Sequence, residues 1–113
     1  MPGTLVRNVA STRGGGLTVE VAPGFEMLGT YLASDIRGLD MGPYEAVREV
    51  LERAVRDGIA DDVVSDGFAL DVDGDEATLT LLSQEDVTAT FRTEDVLNAL
   101  QEYARLMELR TSR

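Results

Sequence analysis

From Phe68 to Phe91 apolar and polar side chains alternate, and two polar turns interrupt the alternation without changing its period. Phe68, Leu70 and Val72 alternate with Ala69, Asp71 and Asp73. Ala77, Leu79 and Leu81 then alternate with Thr78 and Thr80, and Val87, Ala89 and Phe91 with Thr88 and Thr90. A period of two sends every second side chain to one face of a strand, so each segment buries one side and shows the other to water. Gly74, within Asp73-Gly74-Asp75-Glu76, and the run Ser83-Gln84-Glu85-Asp86 supply the turns. Three strands joined this way form an antiparallel meander, and its apolar face has to be covered by something else.

The cover is written in the helical segments. Pro43 suits a first helical position, and Tyr44, Val47, Val50, Leu51, Ala54 and Val55 form a stripe through residue 57. Glu49–Arg53 and Glu52–Arg56 are i,i+4 pairs in the favourable order, and Gly58 is a good terminator. Thr93 reads as the cap of a last helix, with Glu94 and Asp95 in the first turn where the dipole favours anions. Its buried stripe is Val96, Leu97, Leu100, Tyr103, Ala104 and Met107.

Residues 25–36 admit two readings. Phe25, Leu28, Leu32 and Ile36 share a helix face, whereas Phe25, Met27, Gly29, Tyr31 and Ala33 would share a strand face. A strand would turn Leu28 and Leu32 to water, so a helix is expected, weakened by Gly29 by about 1 kcal/mol. Residues 4–10 and 17–22 read as strands joined by a glycine-rich loop, and residues 57–66 read as a loop. The expectation is one α+β domain over residues 1–113, with 1–3 and 110–113 frayed. It has an antiparallel sheet of about five strands, helices on one face, and the order β-β-α-α-β-β-β-α.

The chemistry available to this fold is narrow, because the chain has no His, Cys, Lys or Trp. Ser34, Ser65 and Ser83 have no His or Lys to activate them. The Asp71–Glu76 segment, DVDGDE, echoes the start of a calcium loop, but Glu76 stands where the loop needs Gly and Leu82 where it needs Glu. A hairpin turn is the better reading. Gly14-Gly15-Gly16 leads into a strand and lacks the lysine of a phosphate-binding loop. The acids lie at turns and exposed positions, where nothing raises a carboxyl group toward neutral pH. No enzyme, metal or cofactor is expected. Tyr31, Tyr44 and Tyr103 sit on apolar stripes, with core or core-edge packing expected and the hydroxyl reaching outward.

Charge is where the chain departs from an ordinary surface. Its net charge is −11, every base is Arg, and the thirty residues from Asp57 to Asp86 hold ten acids and no base. Well-mixed signs are the norm for solubility, and acids this close repel one another across a Debye length of about 8 Å. A cationic partner would relieve that repulsion and be steered by it. The same charge disfavours nucleic acid and anionic membrane surfaces. The expected contact residues are Asp61, Asp62, Asp66, Asp71, Asp73, Asp75, Glu76, Glu85 and Asp86. No apolar run is long enough to span a bilayer and residues 1–10 carry no secretory signal, so a cytoplasmic location is expected. The oligomeric state is left open.

Three segments, residues 19–36 (VEVAPGFEMLGTYLASDI), 66–81 (DGFALDVDGDEATLTL) and 91–107 (FRTEDVLNALQEYARLM), resemble small immunity proteins of bacterial toxin–immunity systems, including contact-dependent growth inhibition. The resemblance lies in the order of elements: a strand, two helices, a strand meander and a closing amphipathic helix. Tyr103 stands where such proteins often carry a bulkier aromatic residue. The resemblance implies a non-enzymatic protein, without a cofactor, that neutralises a cognate toxin, often a basic nuclease. Two other readings stay open: a regulatory or small-ligand domain with a pocket between the sheet and residues 25–36, and a nucleic-acid mimic acting through the same carboxylates.

Overall fold

The computed structural model describes residues 4–11, 13–14, 16–36 and 43–111. Strands β1 (Val6–Ser11) and β2 (Leu17–Val21) come first. Helix α1 (Glu26–Tyr31) follows and runs on as a π-helical segment, Leu32–Ile36. Then come α2 (Tyr44–Asp57), β3 (Asp61–Val64), β4 (Phe68–Asp73), β5 (Glu76–Leu81), β6 (Gln84–Arg92) and α3 (Thr93–Thr111). The class is α+β, as the patterning requires.

The sheet departs from expectation in two ways. It is divided into a two-stranded β1–β2 ribbon and a four-stranded antiparallel meander in the order β3-β4-β5-β6. The added strand, β3, lies in the stretch 57–66 expected as a loop, so the order becomes β-β-α-α-β-β-β-β-α. Its four residues, Asp-Asp-Val-Val, are too few to show a period. Pairing with the edge of β4, with Val63 opposite Leu70, makes it a strand; strand formation follows neighbours more than intrinsic preference.

The core sits between the meander's inner face and the helices. Phe68, Leu70 and Val72 of β4 and Ala77 and Leu79 of β5 are buried against Val47, Val50, Leu51 and Ala54 of α2 and Val96, Ala99, Leu100 and Tyr103 of α3. Val55, placed by its spacing on the α2 stripe, is 49% exposed, because the stripe facing the sheet is narrower than the apolar run. Helix α2 ends as its sequence dictates: Gly58 adopts φ +70° and donates its N–H to the Ala54 carbonyl at 2.9 Å.

Residues 26–36 are helical, which settles the two readings. Leu28, Tyr31, Leu32 and Ile36 are all buried. Gly29, a cost to the helix by propensity, is what lets α1 lie against β2. A Cβ there would stand 3.0 Å from Val21 Cγ1 and 3.2 Å from the Val19 carbonyl oxygen. The Tyr31 ring meets Phe68 edge-on at 5.5 Å, and Phe25 stacks on Phe91 at the same centroid separation.

Thr93 does not cap α3 through its side chain. Its hydroxyl donates to the Gly74 carbonyl at 2.7 Å and its N–H to the Asp75 carbonyl at 2.9 Å, so it locks the β4–β5 hairpin to the helix start.

Candidate functional site

Cross-strand partners share a sheet face, so the register assigns each side chain to a side. The rows Val63–Leu70–Leu79–Ala89 and Asp61–Val72–Ala77–Phe91 belong to the inner face. The outer face carries the rows Asp62–Asp71–Thr78–Thr90, Val64–Ala69–Thr80–Thr88 and Asp73–Glu76–Arg92. Asp62, Val64, Asp71, Asp73, Glu76, Thr88, Thr90 and Arg92 are exposed, and Ala69, Thr78 and Thr80 between them are half-buried. The Thr78 and Thr90 hydroxyls are 3.1 Å apart and hydrogen-bonded.

The nine sequence-predicted contact residues do not form one patch. Asp62 lies opposite Asp71, and Asp73 opposite Glu76, on the outer face, with Asp75 at the adjoining hairpin tip. These five form a continuous acidic area. Asp61 belongs to the inner-face row at the edge of the sheet, and its carboxylate accepts the Asp62 N–H at 2.8 Å. Asp66, in the β3–β4 turn, and Glu85 and Asp86, early in β6, lie at the other end of the sheet. Four residues separate Asp66 from Asp71 in the chain, and the stretch of β4 from Phe68 to Asp71 alone spans roughly 10 Å of rise.

Like charges directly opposed on a sheet are destabilising, and Arg92, opposite Glu76, is the one cation in these rows. Ion pairs among the described residues include Glu45–Arg48 at 2.5 Å, Glu49–Arg53 at 3.9 Å, Arg56–Asp57 at 3.1 Å and Arg92–Glu94 at 3.8 Å. None of the nine residues takes part. Arg56 turns to Asp57 rather than to Glu52, the partner its spacing offered.

Two carboxylates outside the predicted set hold the frame. Asp35, in the π-helical segment, accepts the N–H groups of Gly67 at 3.0 Å and Phe68 at 3.2 Å, along with the Ser65 hydroxyl. Ser34 donates to its other oxygen at 2.9 Å. Ser34 and Ser65, named above as nucleophiles lacking an activator, are thus both donors to one carboxylate that fastens the β3–β4 turn. Glu102 of α3 accepts the N–H groups of Leu5 and Val6 at 2.9 and 3.0 Å. Neither role carries a sequence signal, because each joins segments far apart in the chain. Wide π-helical turns often mark functional positions, and here the widened turn presents the Asp35 anchor.

Tyr31 and Tyr103 are buried to the hydroxyl rather than reaching outward, while Tyr44 is half-buried. The Tyr31 hydroxyl has no hydrogen-bond partner among the described residues. Burial pushes its pKa well up, and the nearby Asp35 charge adds to the shift.

Among the described residues no three acidic side chains converge as a metal-binding group, and no helix is long and apolar enough to cross a membrane. No protein-family model matches this chain, nor does any curated protein or solved structure.

Proposed function

We propose that this protein is a non-enzymatic inhibitor of the immunity type, which docks on a cationic surface of a partner protein, a cognate toxin, through the outer face of its four-stranded sheet. One observation carries the reading: four carboxylates stand on an open sheet face in opposed pairs, Asp62 with Asp71 and Asp73 with Glu76, and make no ion pair. Such a face works against folding by self-repulsion and favours encounter with positive charge. Asp75 extends it at the hairpin tip. Asp61, Asp66, Glu85 and Asp86 act as a rim that steers the approach. The toxin identity of the partner rests on the resemblance in the order of elements, and the cytoplasmic placement is the expectation drawn from the sequence.

The test uses the wild-type chain and an Asp71→Arg/Asp73→Arg variant as parallel baits on native-cell extract. The expected result is a basic protein retained by the wild type at low salt and lost from the variant. With that protein purified, the variant associates more slowly and with a flatter salt dependence, while its circular dichroism is unchanged. Equal capture by both baits, or association insensitive to salt, overturns the acidic-face reading.

A further inference from the structure

Apolar burial does little to hold β3. The strand is four residues long, it lies at the edge of the meander, and none of its side chains is fully buried. Val63 packs half-buried on the core, and Val64 is 62% exposed on the outer face. An edge strand with so little in the core opens more readily than the sheet it borders.

Its ladder with β4 also sets two charges against each other. The register is unbroken from Asp61–Val72 to Val64–Ala69, and the Ser65 N–H continues it by donating to the Phe68 carbonyl at 2.9 Å. Antiparallel pairs alternate between bonded and non-bonded, so Ser65–Phe68, Val63–Leu70 and Asp61–Val72 are bonded and Asp62–Asp71 is not. The Asp62 N–H, turned from β4 in this scheme, is taken by the Asp61 carboxylate at 2.8 Å. Non-bonded pairs bring side chains closest, with Cα atoms about 4.5 Å apart. Asp62 and Asp71 therefore repel each other where the ladder is tightest. A latch opposes them. Asp35 accepts the N–H groups of Gly67 and Phe68, in the turn and in β4, and the hydroxyl of Ser65, the first residue past β3. Gly67 permits that approach, since a Cβ there would lie 3.2 Å from the Asp35 carboxylate. The Ser65 bond is the part of the latch that reaches the strand.

We propose that β3 is a strap that opens from β4 as a unit while β4, β5 and β6 stay paired, with Asp35 as its latch, the Asp62–Asp71 repulsion driving it open, and positive charge beside that pair closing it. Opening costs the Val63 contact, the ladder bonds to β4 and the Ser65–Asp35 bond, and it relieves the repulsion. It leaves the buried rows of β4 and β5 under α2 and α3. It also takes Asp62 off the outer face, so the full set of opposed carboxylates exists only with the strap closed. What this does for a partner rests on the docking reading above: a cationic group set between Asp62 and Asp71 binds the closed strap alone, and therefore closes it.

Amide exchange followed residue by residue, as protection factors, tests the strap on the chain by itself. The reporters are the N–H groups of Asp61 and Val63, which face β4. The controls are those of Ala69 and Thr80, the bonded pair that follows the Leu82 N–H to Gly67 carbonyl bond on the β4–β5 ladder. The reporters are expected to exchange about a hundredfold faster than the controls. Low concentrations of urea should speed the controls and leave the reporters nearly unaltered, because opening the strap exposes little surface. Ser65→Ala should speed the reporters about tenfold, through loss of a hydrogen bond to a charged group. Asp71→Arg, which sets a cation opposite Asp62, should slow them about tenfold, and Asp62→Asn about threefold. Reporters and controls that share one protection and one urea dependence overturn the strap. Reporters unmoved by Ser65→Ala overturn the latch, and reporters not slowed by Asp71→Arg or Asp62→Asn overturn the repulsion as its drive. No partner takes part in these readouts, so the strap and the docking reading fail separately.

Discussion

At the scale of single residues the structure turns on polar groups placed where side-chain chemistry alone would not put them. Tyr31 is the sharpest case. Its ring packs on Phe68 while its hydroxyl is buried with no partner among the described residues, so the oxygen contributes desolvation cost and no bond. Tyr31→Phe should leave stability at neutral pH unchanged or raise it by about 1 kcal/mol, measured by urea unfolding. The alkaline limb separates the two chains further. The folded-state pKa of Tyr31 is raised above its ordinary 10.0, first by burial and then by Asp35, so the folded state holds its proton more tightly than the unfolded one. Stability from this group is therefore complete below pH 10 and falls as pH rises beyond it. The Phe variant should unfold at a higher pH than the wild type. Identical alkaline transitions would contradict the burial of that hydroxyl. Gly29 shows the opposite logic: a residue unfavourable to its own helix is the one that fits, because β2 occupies the space a side chain would need.

At the scale of elements, two clasps hold pieces that are weak alone. A two-stranded ribbon is marginal by itself, and β1 is held to α3 by the Glu102 carboxylate on the Leu5 and Val6 N–H groups. Glu102→Ala should speed amide exchange at Leu5 and Val6 by about tenfold, the effect of losing about 1.4 kcal/mol, and leave Leu70 and Leu79 in the core protected. Exchange rising equally everywhere would mean that β1 unfolds only with the whole chain. The same comparison explains what could be read in advance. The β4–β5–β6 meander was legible because three segments keep period two between marked turns, and α2 because its stripe, Tyr44 to Val55, spans about three turns. β3 was not, since its strand character comes from the edge of β4. Nor was the π-helical turn, which goes with burying Ile36 while Asp35 faces the β3–β4 turn. The alternation gave Asp71 and Asp73 their outward direction. The opposition of Asp62 to Asp71 needed the register of an element that the pattern did not show. The separation of Asp66, Glu85 and Asp86 from the other acids follows from strand length, which a run of charges along the sequence conceals.

At the scale of the molecule, the helices and ribbon leave one broad surface open, and that surface carries unbalanced charge. Salt should therefore stabilise this chain even without a partner. Raising sodium chloride from low to physiological strength is expected to raise Tm by roughly 4 °C, the shift that about 1 kcal/mol produces in a domain of this size. Asp71→Asn/Asp73→Asn should raise the low-salt Tm and reduce that salt response. A response unaltered by the double substitution would place the repulsion elsewhere on the molecule.

The Glu102 clasp also has a consequence in time. The two groups it joins at Leu5 are 97 positions apart, so β1 emerges from the ribosome long before its carboxylate exists. At bacterial or eukaryotic synthesis rates of about 5–20 residues per second, that interval is about 5–20 s. For that period the first strand has only β2 to pair with. The meander and α2 can assemble as they emerge, whereas the ribbon is fixed by a residue in the middle of the last helix, so the first strand made is among the last to be secured.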